Sequence, residues 1–498
     1  MVPVLVIAAT DLAVRWRKVA EWNRLEVLLY GVSVLFALAC IRVVARLLPD
    51  RLHHPRLYWP IAAVLGGVSG FILLVHFDYY AYFGVHPEII GIGHLVGEPT
   101  EALSVMLDEF SPLRAVAFVA LVLAGTWAWR VATDPPPGRR TFWICGVLVV
   151  VLIPVFHQNV SMSPGNFLPS VNLVFTSTKA IQYAVQGRGE FRRMQVSTRI
   201  PVPPQPSKPP YNVLFLVNES LRARETGYNG YTRDTTPNVD AFLQAHPRTT
   251  FSFSQCFTNS TKTSESVPSI LTGVHPVEDY RKLHQYPLFY EYMKAFPDTR
   301  SFLYAAHGYN VANFRFFLRT PRLDDLVYQE NSGHPRFNSL GMDDRFLVPP
   351  FEKTLAGLPA STRFVGILHM NGPHYPYQVP EADLKWGRAT RQDQYDNSIR
   401  YQDNTIGAFL RVLEKSGRLD NTIIFSTSDH GEAFSEHGVQ GHRRTFYEEI
   451  VHIPCWMHLP ESLAQTHGVV VRANLGTNVT NLDWVPTLVD LLGLSKVP

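Results

Sequence analysis

Four apolar segments crowd the first 160 residues of this 498-residue chain. They run near Val27–Leu48, Leu57–Phe77, Ala115–Val131 and Thr141–Phe156. Each approaches the roughly 20 residues that a helix needs to cross a bilayer, and Arg42, Arg46, Arg114 and Arg130 stand where they can snorkel at the ends. Any one of them would also read as a buried core helix, but four this close together point to a membrane domain. Hydrophobic residues make up 46% of the chain and charged residues only 17%, which fits a membrane protein with a soluble part. A formal charge of +3 is too small to argue for nucleic acid, and no zinc-finger spacing or basic helix supports such a partner.

The loops set the orientation. Arg51 and Arg56 lie in one short loop and Arg139 and Arg140 in another, whereas the stretch from Asp78 to Ser111 has no Lys or Arg and carries Glu88, Glu98, Glu101, Asp108 and Glu109. The positive-inside rule puts the basic loops in the cytoplasm, so everything from His157 onward is expected outside. The amino terminus fits less well: Arg15, Arg17, Lys18 and Arg24 would then face outward. Either Met1–Val14 belongs to a fifth span or Asp11–Leu25 is an amphipathic interfacial helix. A basic cluster of Arg188, Arg192, Arg193 and Arg199 reads equally as a solvated face or as contact with anionic lipid. Pro201–Pro210 follows as a semi-rigid linker. The expected domains are therefore 1–160 (transmembrane), 161–210 (juxtamembrane helix and linker) and 211–498 (extracytoplasmic).

Beyond Pro210, strand-like runs alternate with helical ones. Tyr211–Val217, Arg363–His369 and Thr422–Ser426 read as strands, Thr236-Pro237 opens a helix, and Gln402–Lys415 is an amphipathic helix. Such alternation predicts a mostly parallel sheet covered by helices, which places chemistry at the carboxyl ends of its strands. Ligand-type residues stand at those ends: Glu219 after the first strand, His369 and His374 after the second, Asp429 and His430 after the third. The segment Thr258–Pro268 adds a dense run of hydroxyls with Lys262. Taken singly, each is an ordinary cap or polar turn; together they suggest one site. Cys40 and Cys145 lie in apolar runs, and the sequence leaves open whether Cys256 and Cys455 pair.

At these residues the soluble half resembles the sulfatase and alkaline-phosphatase superfamily. It is most similar to the membrane-anchored branch of phosphoethanolamine transferases and lipoteichoic acid synthases. Asn218-Glu219-Ser220 with Asn229–Pro237, Lys262-Thr263-Ser264, Ser428–Glu432 with Glu436–Gly438 and Gly441-His442, Tyr447–Pro454 and Asp483–Gly493 carry the resemblance, over about 211–498. It implies a helical transmembrane domain followed by an α/β sulfatase-like domain, in a multi-pass protein of the bacterial inner membrane. It further implies an enzyme with one divalent metal, Zn²⁺ or Mn²⁺, held by Glu219, Thr263, Asp429 and His430. Thr263 is the expected nucleophile, attacking phosphorus to form a phosphothreonine, with His374 and His442 as donors or general acids and Lys262 as a counter-charge. His307, Arg315 and Arg319 are further candidates for substrate contact. The implied reaction moves phosphoethanolamine or phosphoglycerol from a membrane phospholipid to a lipid or glycan acceptor, and the protein is expected to act as a monomer. Two alternatives stand beside it: hydrolysis of sulfate or phosphate esters, and a non-catalytic lipid-binding regulator. The sequence departs from formylglycine sulfatases, because Ile270 stands where the Ser266-x-Pro268 frame calls for arginine. It also lacks the cysteine-rich pattern of the lipid A enzymes.

Overall fold

The computed structural model describes residues 2–20, 22–47, 138–159, 167–186, 199–207 and 211–494, apart from 278–279, 310–313, 339, 438–439 and 443–444, with a few isolated residues between 60 and 123. The chain divides into two compact units, 1–192 and 193–498.

In the first unit, helices α1 (Val2–Val14), α2 (Arg24–Leu47), α3 (Arg139–Asn159) and α4 (Pro169–Gln186) gather around Tyr30, Phe36, Phe156, Phe167 and Phe175. Among the described residues, two stretches are long and apolar enough to cross a membrane, Arg24–Val44 and Arg139–Phe156. The expected spans Leu57–Phe77 and Ala115–Val131 lie largely outside the described residues, as do Arg188, Arg192 and Arg193. A continuous interfacial helix over Asp11–Leu25 does not form. Asn23 and Glu26 make a capping box instead: the Asn23 side chain accepts from the Leu25 and Glu26 amides, and Glu26 accepts from the Asn23 amide, so α2 starts afresh at Arg24. Asp11 and Arg15 pair with each other in the interior, where Tyr30 donates to Asp11 at 2.9 Å.

The described part of the proline-rich stretch, 201–207, packs on the second unit. The Ile200 and Gln205 amides donate to the Gln285 and Ala295 carbonyls, and Val202 is buried in the core. Arg199 is neither solvated nor lipid-facing: its guanidinium donates to the Leu283, Tyr286 and Phe317 carbonyls.

The second unit is built on seven strands: β1 (Asn212–Asn218), β2 (Thr250–Phe253), β3 (Thr299–Ala305), β4 (Asp325–Val327), β5 (Arg363–His369), β6 (Thr422–Ser428) and β7 (Cys455–His458). They lie in the order β2-β7-β6-β1-β5-β3-β4, and β7 alone runs against its neighbours. The parallel strands are apolar on both faces because helices cover both. Val213, Phe215 and Val217 of β1 meet α6 (Thr263–Thr272) and α9 (Trp484–Leu491) through Val267, Ile270, Val485 and Leu488. Leu214 and Leu216 face the other way, towards α5 (Pro237–Ala245), α7 (Val348–Gly357) and α8 (Arg391–Lys415). Helix α8 begins eleven residues before the amphipathic stretch suggests. Its first three turns bury Asp393, Asp396, Asn397 and Ser398, which hides the apolar period that sequence reading relies on. Cys256 and Cys455 form a disulfide across 199 residues.

Candidate metal and nucleophile site

Strand register brings the ligand-type residues together. Asn218 of β1 is level with Ser428 of β6, so Glu219 and Asp429 leave the sheet side by side. On the other flank Val217 is level with His369, the last residue of β5. Glu219, Asp429 and His430 are fully buried, and one ligand atom of each lies within 4.8 Å of the others.

Hydrogen bonds decide which atoms face inward. Asp429 Oδ1 accepts the Ser220 amide at 3.0 Å and the His430 amide at 2.8 Å. The Asp429 carbonyl takes the Ser266 hydroxyl at 2.7 Å and also the Thr258 hydroxyl. His430 Nδ1–H donates to the Gly431 carbonyl at 2.9 Å, which fixes the tautomer and leaves Nε2 with its lone pair. Gly431 is required here because a Cβ would lie 2.2 Å from the Glu449 carbonyl oxygen. Thr263, the first residue of α6, donates its hydroxyl to Glu219 Oε1 at 2.9 Å and sits 3.1 Å from His430 Nε2. The helix N-terminus beneath it favours negative charge.

A divalent cation fits this set. Glu219 Oε2 and Asp429 Oδ2 are buried and have no hydrogen-bond partner among the described residues. Burial, then the neighbouring Asp429 carboxylate, push the Glu219 pKa well above the usual carboxylate range. Burial also opposes charge on Asp429, but His430 and the Ser220 amide outweigh it and hold its pKa down. Two buried carboxylates this close, with spare oxygens turned towards one imidazole nitrogen and one hydroxyl, suit Zn²⁺ or Mn²⁺. Glu219, Thr263, Asp429 and His430 would hold the ion.

A second layer surrounds them. His442 Nδ1–H donates to the buried Glu432 carboxylate at 3.0 Å, and the His442 ring stacks on His430 at 3.9 Å. His374 lies 6.0 Å from His442, ring to ring, and its Nδ1–H donates to the Tyr375 carbonyl. Burial and the neighbouring His442 push the His374 pKa down to about 3. His374 is therefore a neutral imidazole at ordinary pH.

The other expected contributors have different surroundings. Lys262 pairs with Glu265 at 2.9 Å. Arg315 and Arg319 line a cavity of about 410 Å³ with Asp324, Tyr328 and Asn331. His307 is buried and stacks on His369 at 5.2 Å, one ring removed from Glu219.

His369, a ligand-type residue at a strand end, and Glu432, within the Ser428–Glu432 motif, stand outside the expected set of metal ligands and catalytic residues. His369 Nε2 is buried 3.8 Å from Glu219 Oε2 without a hydrogen bond, and its Nδ1 meets the Tyr309 hydroxyl at 3.1 Å. Burial keeps its pKa near 4, so it is neutral. Its place as the last residue of β5 was the available signal. For Glu432 the signal was its position three residues after Asp429.

Comparison with known proteins places the second unit in a family. The family model described as Sulfatase matches residues 211–494. The chain is 21% identical over 472 residues to the phosphoethanolamine transferase EptC of Escherichia coli, covering 87% of this chain and 80% of that protein. It is 22% identical over 340 residues to an ulvan-active sulfatase of Formosa agariphila, covering 59% of this chain and 63% of that protein. Among solved structures, the integral membrane lipooligosaccharide phosphoethanolamine transferase A of Neisseria meningitidis superposes with a TM-score of 0.64. That likeness covers 98% of this chain and 95% of the other at 18% identity, and it is a likeness of fold.

Proposed function

The chain belongs to the sulfatase family, and from that premise we propose that it is a metal-dependent transferase of a phospho-alcohol group, phosphoethanolamine or phosphoglycerol. The donor is a phospholipid of the membrane in which the first unit is anchored, and the acceptor is a lipid or glycan of the cell envelope. The protein crosses the inner membrane several times, with its catalytic unit on the outer face. The observation that carries the reading is Thr263: a hydroxyl at a helix N-terminus, 2.9 Å from one carboxylate oxygen of a buried ligand set and 3.1 Å from its imidazole.

Bound there, the metal supplies positive charge that lowers the pKa of the threonine hydroxyl and offsets charge on the phosphoryl oxygens. The rest falls to the chain's own residues. Glu219 and His430 fix the Thr263 oxygen in place. That oxygen, whose proton has passed to solvent on metal loading, attacks the phosphorus of the donor diester as an alkoxide, forming a Thr263–O–P bond, and the bond from phosphorus to the diacylglycerol oxygen breaks. His442, oriented by Glu432, delivers the proton that the departing alkoxide needs. In the second half the acceptor hydroxyl gives its proton back to His442 and attacks phosphorus, and Thr263 leaves. The amides at the start of α6 stabilise the phosphoryl oxygens in both halves.

Purified full-length protein incubated with radiolabelled phosphatidylethanolamine or phosphatidylglycerol, with and without envelope glycolipid, tests this. Label on the glycolipid with release of diacylglycerol supports transfer. Release of the free phospho-alcohol at the same rate with or without acceptor would instead identify a hydrolase.

A further inference from the structure

Ser220 follows Glu219 directly and holds a φ of +56°. A non-glycine residue keeps this left-handed backbone only where its surroundings enforce it. The conformation has a purpose here, since it aims the Ser220 amide at Asp429 Oδ1, 3.0 Å away. That bond, with the one from the His430 amide, occupies Oδ1 and leaves Oδ2 as the oxygen facing Glu219 and His430.

One side chain on another element holds the turn. The Tyr395 hydroxyl, on α8, donates to the Ser220 carbonyl at 2.7 Å and accepts the Arg222 amide at 2.9 Å. It grips the peptide on both sides of Leu221, whose own amide goes to the Ser428 hydroxyl at 2.9 Å. Tyr395 is fully buried, and its ring is wedged edge-on against Phe434 at 4.9 Å and Tyr377 at 5.4 Å, so the hydroxyl has little freedom to move away. The Arg222 guanidinium is committed to Glu225 and Glu436 and leaves the Ser220 backbone to Tyr395.

We propose that Tyr395 is a positioning residue of the metal centre: its hydroxyl enforces the left-handed Ser220 and so selects which oxygen of Asp429 is presented to the ion. This rests on the reading of Glu219, Asp429 and His430 as metal ligands. Partners in this position typically govern affinity by about 10- to 100-fold, because they fix a ligand without touching the ion.

The test is a chelator-competition titration of Zn²⁺ against the full-length protein in detergent. It compares wild type, Tyr395→Phe, the double variant Ser220→Gly/Tyr395→Phe, and Tyr304→Phe as a control that loses a buried hydroxyl bonded to Thr354. Tyr395→Phe is expected to weaken Zn²⁺ binding about tenfold or more. With Zn²⁺ saturating, its KM for donor lipid stays at the wild-type value. The double variant recovers part of the affinity, because glycine takes a φ of +56° without penalty. Tyr304→Phe binds as wild type. If Tyr395→Phe fails to fold while the double variant folds and binds Zn²⁺, the effect lies at the Ser220 backbone and the proposal holds. If both fail to fold, or if Tyr395→Phe binds Zn²⁺ as tightly as wild type, it is overturned. A wild type that takes up no Zn²⁺ removes the metal reading and this inference together, an outcome distinct from equal binding by wild type and variant.

Discussion

Removing the Asp344 carboxylate should cripple turnover while sparing the metal. Asp344 is buried beside the loop that joins His369 to His374. Its two oxygens accept the Asn371 amide at 2.8 Å and the Gly372 amide at 3.0 Å. The approach is close enough to require glycine, since a Cβ on Gly372 would lie 3.0 Å from the carboxylate and 2.9 Å from Gln402. Burial pushes the Asp344 pKa up to about 7, against the pull of those amides. Asp344→Ala leaves two buried N–H groups without an acceptor, each costing about 1–3 kcal/mol, or about 4 kcal/mol together. The loop escapes that cost by turning its amides to water, which pulls His374 away from His442, the proton carrier against which it packs. At about 1.4 kcal/mol per factor of ten, the full penalty corresponds to roughly a thousandfold loss of the correct arrangement, and relaxation will recover part of it. The expected loss in kcat/KM for donor lipid is therefore about 10²- to 10³-fold. Zn²⁺ affinity should stay within a few-fold of wild type, because Glu219, Asp429 and His430 hang from β1 and β6. Steady-state assays and chelator competition on the same preparation read both quantities. Activity within threefold of wild type would refute the reasoning, and so would Zn²⁺ affinity falling in step with activity.

Three further outcomes follow from the same structure. Glu432→Gln removes the charge that orients His442, so kcat should fall by about 10- to 100-fold with KM for the donor unchanged, as a pH–rate series will show. His458 is buried, donates to the Thr422 carbonyl at 3.1 Å and faces Phe242 and His246, and burial lowers its pKa to about 4. Its folded pKa lies below the unfolded value of about 6.5, so its contribution is intact above pH 6.5 and is lost as pH falls towards 4, up to about 3 kcal/mol. Urea unfolding of wild type and His458→Gln between pH 7 and pH 4 should show that extra slope in wild type alone; equal slopes would contradict it. Replacing both Cys256 and Cys455 by serine opens a 199-residue loop and should lower stability by about 2–5 kcal/mol, matched by wild type under reductant in the same urea assay.

Much of the second unit is legible in the chain because its strands are short, β-branched and bounded by polar residues. Arg363–His369 coincides with β5, and the other two strands differ from the expected ones by a residue or two at their ends. Glu219, Thr263, Asp429 and His430 are drawn to one point because parallel register levels the ends of β1 and β6, a consequence of sheet topology that the residues foretell. What escaped reading acts across elements. Tyr395 and Asp344 work through backbone amides of other elements, and no local spacing marks such a role. The same cause hid the start of α8, where buried polar side chains replace the apolar stripe. Lys262, beside the expected nucleophile, also pairs with Glu265 three residues on, a contact that the sequence reading did not include.

In the proposed reaction Thr263 carries the transferred group. Full-length protein, loaded with Zn²⁺ and incubated with total membrane lipid, should be quenched in acid, digested and analysed by mass spectrometry. A phospho-alcohol adduct is expected on the peptide containing Thr263 and not in Thr263→Ala, and its mass also distinguishes phosphoethanolamine from phosphoglycerol. Diacylglycerol release at the wild-type rate by Thr263→Ala, or an adduct on any other residue, would contradict it.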